Sequence, residues 1–325
     1  MSAAGGKAVS LIVATWNRGP RIARTLDSVR AQTRPPEEVV VVDDCSSDGT
    51  ADWVCDNYRE VRVVRTERNL GTSGARNCGA AAATGELLVF LDHDDELLPH
   101  AIETLTSNLR EFPRARASYA DHIYLNHTTG VRYENHHSAR REFGRLGAVA
   151  TEERRGPQRL FGRSMYYALL RGNLLQQPWC VDRRTFLDVG GFAEDVRWCE
   201  DWDLYLRLAD RVPVVLGDEV ISIHHIEGSN LHLTPNQDVM YVRVLERQLA
   251  VQRWSDWRAR AITRRRLAQF AKSAGDRARP AGVTQAWRHY ARSLMLWPFD
   301  HVVFARTLLW LPPLLMARPS RAEAR

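Results

Sequence analysis

Several features that mark common protein classes are scarce in this chain. Its five cysteines (Cys45, Cys55, Cys78, Cys180 and Cys199) are odd in number, scattered, and never form a C-x-x-C pair. That argues against a disulfide framework or a cysteine zinc site, and for reduced thiols in a cytosolic compartment. No low-complexity tract or internal repeat interrupts an otherwise ordinary folded composition. The opening MSAAGGKAVS is too short and polar to read as a secretory signal. The run 301–316 is broken by Arg306 and Pro312-Pro313, and is shorter than the roughly 20 apolar residues a spanning helix requires. The dinucleotide fingerprint G-x-G-x-x-G is also missing.

What is present suits one large α/β domain with an appendage, or two modest domains, in 325 residues. The net charge of +6 conceals an asymmetry. Residues 251–325 hold 15 Lys and Arg against 4 Asp and Glu, a local +11, which leaves 30 against 35 for residues 1–250. A boundary near Val251 therefore separates a mildly acidic body, 1–250, from a basic helical tail, 251–325. Such a tail suits nucleic acid, an anionic membrane or a solvated helical face. It lacks any nucleic-acid-binding fold signature and the body is acidic, so no nucleic-acid partner is expected.

Along the body, strands and helices alternate. Residues 9–14 form a β-rich apolar run that ends in Thr15-Trp16-Asn17-Arg18, and Pro20 opens a helix continued by Ile22, Leu26 and Val29. Residues 39–42 read as a buried strand ending in Asp43 and Asp44. Ser46, Ser47 and Asp48 suit the cap of a helix through Trp53, Val54 and Tyr58. A third strand at 61–65, a flexible loop at 69–74 and an Ala-rich helix at 75–83 follow. Short connections between alternating elements imply right-handed crossovers and a parallel sheet.

The fourth strand is the most informative stretch. Residues 86–99 read ELLVFLDHDDELLP, in which a buried apolar strand runs straight into Asp92, Asp94, Asp95 and Glu96. Carboxylates crowded at a strand end repel one another and are costly to desolvate unless something positive joins them. A divalent cation carrying a diphosphate would serve, and so the run suits a metal-nucleotide site. It equally suits an acidic, solvated turn capping a helix at Leu97.

The succession VSLIVATWNR, TLDSVRAQT, EEVVVVDDCSSDGT, RNLGTSGARNCGAAAATGELLVFLDHDD and GGFAEDVRWCEDWDLYLRLA resembles the family 2 glycosyltransferases. The likeness is dense over about the first hundred residues, poor over 101–172, and absent after His232. It implies an α/β, GT-A fold: a Rossmann-like, mostly parallel sheet flanked by helices, with a nucleotide-binding half at 1–100, an acceptor half at 101–250, and the helical C-terminal appendage. It also implies an inverting enzyme that uses Mn2+ or Mg2+ and a nucleotide-sugar donor. Within it, Thr15, Trp16, Asn17 and Asp44 would hold the base, with Arg76 and Asp92 contacting the nucleotide. A carboxylate at Asp44 can accept from the imide N–H of uracil or thymine, which favours a UDP- or dTDP-sugar. Asp94 would bind the metal, Asp95 would orient the sugar or brace its loop, and His93 would be a spacer. In the EDWDL motif Asp201 would be the general base, with Glu200 favouring the helix dipole and Glu200 and Trp202 facing the acceptor and sugar. His224 and His225 precede Gly228-Ser229, where the resemblance implies a metal or phosphate contact; the spacing leaves the choice between the two open, with His225 slightly preferred.

The polar stretch 126–159, with His136 and His137, reads as a solvated loop, since no further ligand stands at metal spacing. The Q-x-x-R-W motif of processive synthases is missing, which implies transfer of a single sugar to a hydroxyl. The basic tail suits either a helix in an anionic membrane interface, where a lipid-linked acceptor would be met, or one packed on the protein. The expected location is the cytoplasm, peripheral to the inner membrane face. Two other classes compete: a sugar-1-phosphate nucleotidyltransferase, whose glycine-rich phosphate loop is not seen at residues 15–18, and a non-catalytic nucleotide-binding or membrane-scaffold module.

Overall fold

The computed structural model describes residues 7–135, 150–227, 237–281, 283–300 and 303–304. His136, His137, Gly228, Ser229 and most of the run 301–316 lie outside the described residues. Two compact units emerge, Met1–Thr234 and Pro235–Arg325. The shift in charge at Val251 falls at the end of a helix of the second unit.

In the first unit the chain alternates as its apolar periodicity dictates. It runs β1 (Val9–Thr15), α1 (Ala23–Arg30), β2 (Glu38–Asp43), α2 (Thr50–Asn57), β3 (Arg62–Arg65), α3 (Gly71–Ala82) and β4 (Leu87–Asp92). There follow β5 (Glu96–Leu97), α4 (Ala101–Glu111), β6 (Ala117–Asn126), β7 (Arg132–Asn135), β8 (Glu153–Arg155) and β9 (Gln158–Phe161). Last come α5 (Arg163–Leu169), β10 (Trp179–Asp182), α6 (Arg183–Asp188), α7 (Glu200–Arg211) and β11 (Val214–Ile226). The sheet order is β3-β2-β1-β4-β10-β6-β11-β9-β8, with β5 on β11 and β7 on β6. The first four strands are parallel. β10 then inserts antiparallel between β4 and β6, so the second half of the sheet is mixed.

Both faces of β4 are covered, which is why its apolar run is unbroken. Leu87, Val89 and Leu91 join Ile22, Leu26 and Leu105 in one core cluster. On the other face an aromatic ladder crosses three strands. Phe90 stacks on Trp179 at 5.4 Å between centroids and Trp179 on Tyr119 at 5.5 Å, because these residues are register partners. Tyr205 of α7 meets both Trp179 and Tyr119 edge-on. Each such pair contributes about 0.5–1.5 kcal/mol beyond area burial, and the ladder seats α7 on the sheet.

Two local expectations shift. Helix α3 begins at Gly71, not at 75, because Asp44 captures the amides of Leu70 and Gly71 and starts the helix a turn early. The N-cap of α2 is Gly49, left-handed at φ 80°, while Asp48 reaches past it to the amide of Thr50. Parallel pairing with β11 carries β6 on as far as Asn126.

The second unit consists of α8 (Gln237–Val251), α9 (Trp257–Ala278) and α10 (Val283–Leu296). Gln252 donates to Thr263, and Ser293 on α10 donates to the carbonyl of Ala268 on α9. Tyr290 packs against Gly275, where a Cβ would stand 2.7 Å from its ring. No helix among the described residues is long and apolar enough to cross a membrane.

Gly79 governs how α3 lies on the sheet, since a Cβ there would stand 2.5 Å from Ile12 Cγ2 and 3.0 Å from Val42 Cγ2. Gly79→Ala should therefore cost about 1–3 kcal/mol through overpacking, less up to about 1 kcal/mol regained from helix propensity. Urea unfolding should show a lowered midpoint; a raised midpoint would rule out this reading of the contact.

Candidate active site

The carboxyl ends of β1, β2 and β4 gather the acids expected from the sequence, where ligands usually bind in open α/β sheets. At their centre lies Arg76, whose residue is only 4% exposed. Its Nη2 donates to Asp92 Oδ1 at 2.5 Å, and its Nη1 donates to Asp201 Oδ1 at 3.0 Å and Glu200 Oε1 at 3.2 Å. Three carboxylates from β4 and α7 thus share one buried guanidinium, whose own pKa is raised because they outweigh the cost of burial. The Phe192 ring lies 5.2 Å from Cζ. Asn77, next to Arg76 on α3, exchanges two 2.9 Å hydrogen bonds with the backbone of Phe192. That clasp needs Gly191, with φ 63°, because a Cβ would stand 2.6 Å from Asn77 Oδ1. The chain that leads into α7 is thereby fixed to α3.

Asp201 combines burial with access. Its side chain is 26% exposed. Desolvation pushes its pKa up to about 7 against the opposing pull of Arg76, with Glu200 and Asp92 adding to the rise. Gln177 also donates to Asp201 Oδ1 at 3.1 Å. Asp92 stays below the usual carboxylate range: burial works against ionisation, but Arg76 outweighs it.

A second cluster lies around Asp95. Burial raises its pKa more than His224, 3.0 Å away through Nδ1, lowers it. His224 in turn is raised, because Asp95 and Asp92 outweigh the burial that disfavours its charged form. Thr25 donates to the Asp95 carbonyl at 2.8 Å, which braces the loop. His225, the residue preferred from the sequence, points the other way, to Glu96 at 3.3 Å and His127 at 2.8 Å. Successive side chains of a strand face opposite sides, so β11 can bring only one of the pair to Asp95, and it brings His224. Asp94, its side chain 32% exposed, faces Arg18 at 3.5 Å. His93 holds the carbonyl of Ala14 at 2.9 Å, tying the D-x-D turn to β1.

Of the expected base contacts, Thr15 is buried with an unpartnered hydroxyl oxygen, and Trp16 is half exposed. Asn17, left-handed at φ 50°, accepts from the amide of Ser47. Asp44 accepts from Thr66 and the amides of Leu70 and Gly71, which leaves one of the roughly four carboxylate acceptor positions open. Trp202 does not join the site. It is fully buried and donates to the Leu169 carbonyl, because the ~100° step of the helix turns it into the core when Asp201 faces outward. Gln177 and Arg18 were not singled out by sequence, although Arg18 lies in a stretch that was, 15–18.

Among the described residues no group of three or more His, Cys, Asp or Glu stands at ligating distance. The donors offered are the part-exposed Asp94 carboxylate and the buried, unpartnered Nε2 of His224, whose Nδ1 is oriented by Asp95. That set fits a hard divalent ion that brings phosphate oxygens and water with it better than one held by protein alone.

A sheet of this order, with acids gathered at the carboxyl ends of β1, β2 and β4, is the architecture of the GT-A fold. The fold is shared with the crystal structure of Staphylococcus aureus TarS 1–349 in complex with UDP-GlcNAc, at a TM-score of 0.61 and 19% identity over 93% of this chain and 88% of that one. The family model for glycosyl transferase family 2 matches residues 10–175, just over half of the chain, and the chain belongs to that family. An uncharacterized glycosyltransferase of Haemophilus influenzae is 29% identical over 202 residues, 62% of this chain and 61% of that protein. The succinoglycan biosynthesis protein ExoO of Rhizobium meliloti is 40% identical over 98 residues, 30% of this chain and 28% of its own length.

Removal of the shared cation should be severe. Arg76→Met should cost about 3–5 kcal/mol at pH 7 by leaving three clustered carboxylates uncompensated. The deficit should shrink toward pH 5 as those acids take up protons. Urea unfolding at both pH values tests this, and an equal loss at both would refute the electrostatic account.

Proposed function

We propose that the chain transfers one sugar from a nucleoside diphosphate donor to an acceptor hydroxyl, with inversion at the anomeric carbon. The reading rests on one observation: Arg76 holds the first acid of the D-x-D strand and the second acid of the EDWDL helix on the same guanidinium. Asp201 is the general base. An acceptor hydroxyl attacks well only as a nearby carboxylate removes its proton, and a base serves best with a pKa near the working pH. Burial that raises Asp201 and an arginine that restrains the rise give such a value. Attack from the Asp201 side, opposite the leaving diphosphate, inverts the centre.

Thr15, Trp16, Asn17 and the open acceptor position of Asp44 bind the base, and Asp92 the ribose. The UDP-GlcNAc complex of TarS, which has the same fold, supports a UDP- or dTDP-sugar. Asp94 would hold Mg2+ or Mn2+, with His224 rather than His225 as the imidazole, either as ligand or as donor to a phosphate oxygen. The ion's part would be to neutralise charge on the departing diphosphate. Asp95 positions His224, and Glu200 shares the Arg76 charge. Residues 1–100 would supply the nucleotide half; of the acceptor half expected over 101–250, the first unit holds 101–234. The name of ExoO supports a role in cell-surface glycan synthesis. Asp201→Asn should bind UDP with Mn2+ normally and lose at least 100-fold in turnover. The wild-type kcat/KM should fall about tenfold per pH unit below about 7, because the base must be ionised. Near-wild-type turnover in the variant would refute the assignment. Asp94→Ala should lose the metal-dependent part of UDP binding in calorimetry.

The basic appendage supports attachment to an anionic membrane surface that presents a lipid-linked acceptor, each cation near it adding about 1 kcal/mol. Trp254 and Trp257 are largely exposed among Arg253, Arg258 and Arg265. Arg253→Gln, Arg258→Gln and Arg265→Gln together should reduce sedimentation with anionic vesicles. Unchanged, salt-insensitive sedimentation would count against membrane attachment.

A further inference from the structure

At the far end of β4 from Asp92 lies a cavity of about 240 Å³. It opens where β4 begins at Leu87, where β10 ends at Asp182, and just before β6 at Arg116. Its lining is strongly positive: Lys7, Arg34, Arg110 and Arg116 face it, against the single carboxylate of Asp182. Nothing in the proposed transfer uses these residues.

The balance of ion pairs sharpens the point. Lys7 pairs with Asp182 at 3.1 Å and Arg110 with Glu103 at 3.1 Å. Asp182 is further engaged as the cap of α6, where it accepts from the amide and hydroxyl of Thr185. Arg34 and Arg116 are different, because both are held by neutral acceptors. Arg34 donates to Thr106 Oγ1 at 2.5 Å and to the Lys7 carbonyl at 3.1 Å. Arg116 donates to the carbonyls of Pro113 at 2.7 Å and Ala115 at 3.1 Å. Neither has a carboxylate partner among the described residues. Two oriented guanidiniums without counter-ions therefore face one cavity, each with N–H donors to spare.

We propose that this cavity is a binding site for a phosphoryl group, separate from the donor site and independent of the reading given above. Like charges gathered on a concave wall repel one another and focus a positive potential, which a dianion relieves. The planar fork of arginine matches phosphate oxygens bidentately, and orientation by carbonyls reduces the ordering cost of binding. Leu87, Leu109 and Pro113 complete the wall, so the space beside the phosphoryl group accepts an apolar portion of its carrier. The ligand is thus a phosphate monoester, borne by a soluble molecule or by a lipid headgroup.

Calorimetric titration with inorganic phosphate, at constant ionic strength and without divalent ions, tests the site. The intact chain should bind saturably, and Arg34→Gln/Arg116→Gln should weaken binding at least tenfold with the circular dichroism spectrum unchanged. Arg34→Lys/Arg116→Lys should retain most of the affinity, and Arg18→Gln, beside the acids at the opposite end of the sheet, should leave it unaltered. If the double variant does not fold, Arg116→Gln alone should still weaken binding at least threefold. Sedimentation with phosphatidate-containing vesicles separates the two carriers. Loss of vesicle binding in the double variant, with competition by phosphate, identifies the headgroup; phosphate binding without vesicle binding identifies a soluble ester. No saturable binding of either probe, equal binding by the glutamine variant, or loss only in Arg18→Gln would overturn the proposal.

Discussion

The ion cluster around Arg76 is the interaction on which the site depends. Asp92 ends a buried strand and Asp201 opens a helix more than a hundred residues later, and both are drawn to one guanidinium on α3. Without that cation the three carboxylates would repel one another and push β4 and α7 apart. With it, two parts of the chain that carry different chemical tasks are held at fixed separation. The same contact restrains Asp201, whose burial would otherwise carry its pKa still higher.

Arg76 can do this only because α3 lies close to the sheet. Gly79 lets the helix backbone approach Ile12 and Val42, and Asn77 clasps the Phe192 backbone, so the helix is fixed at its sheet face and at its loop face. The aromatic ladder from Phe90 through Trp179 to Tyr119 secures α7 from the other direction. Close packing of this kind transmits small displacements, which makes remote positions such as Gly79 relevant to the acids at the strand ends. The two ends of β4 also differ in charge. Acids restrained by arginine lie at the carboxyl end, and at the amino end is a cavity where arginines outnumber acids.

Much of this was legible in residue order. Unbroken apolar runs gave β1, β2 and β4, helical spacing gave α1, and the five motifs identified the family before any contact was known. These signals are local: a strand buried on both faces must be apolar throughout, and an amphipathic helix must repeat near every fourth residue. The acids of D-x-D were legible for the same reason, since polar residues directly after a buried strand need a partner, whereas those of EDWDL were legible only through the family resemblance. Family membership and the GT-A fold followed from the sequence with little loss.

What the chain order could not decide was which side chains meet. His224 and His225 are adjacent, and only the pleat and register of β11 turn His224 to Asp95 and His225 to Glu96. Asp201 and Trp202 are adjacent too, and the helical step sends one to the site and the other to the core. Arg76, expected at the nucleotide, is also the internal counter-ion of Asp92 and of two acids more than a hundred residues away, and Gln177 reaches Asp201 from across the fold. Sequence fixes periodicity and composition, which depend on neighbours in the chain. Counter-ion pairing, side-chain facing and pKa depend on neighbours in space, and only the folded sheet supplies those.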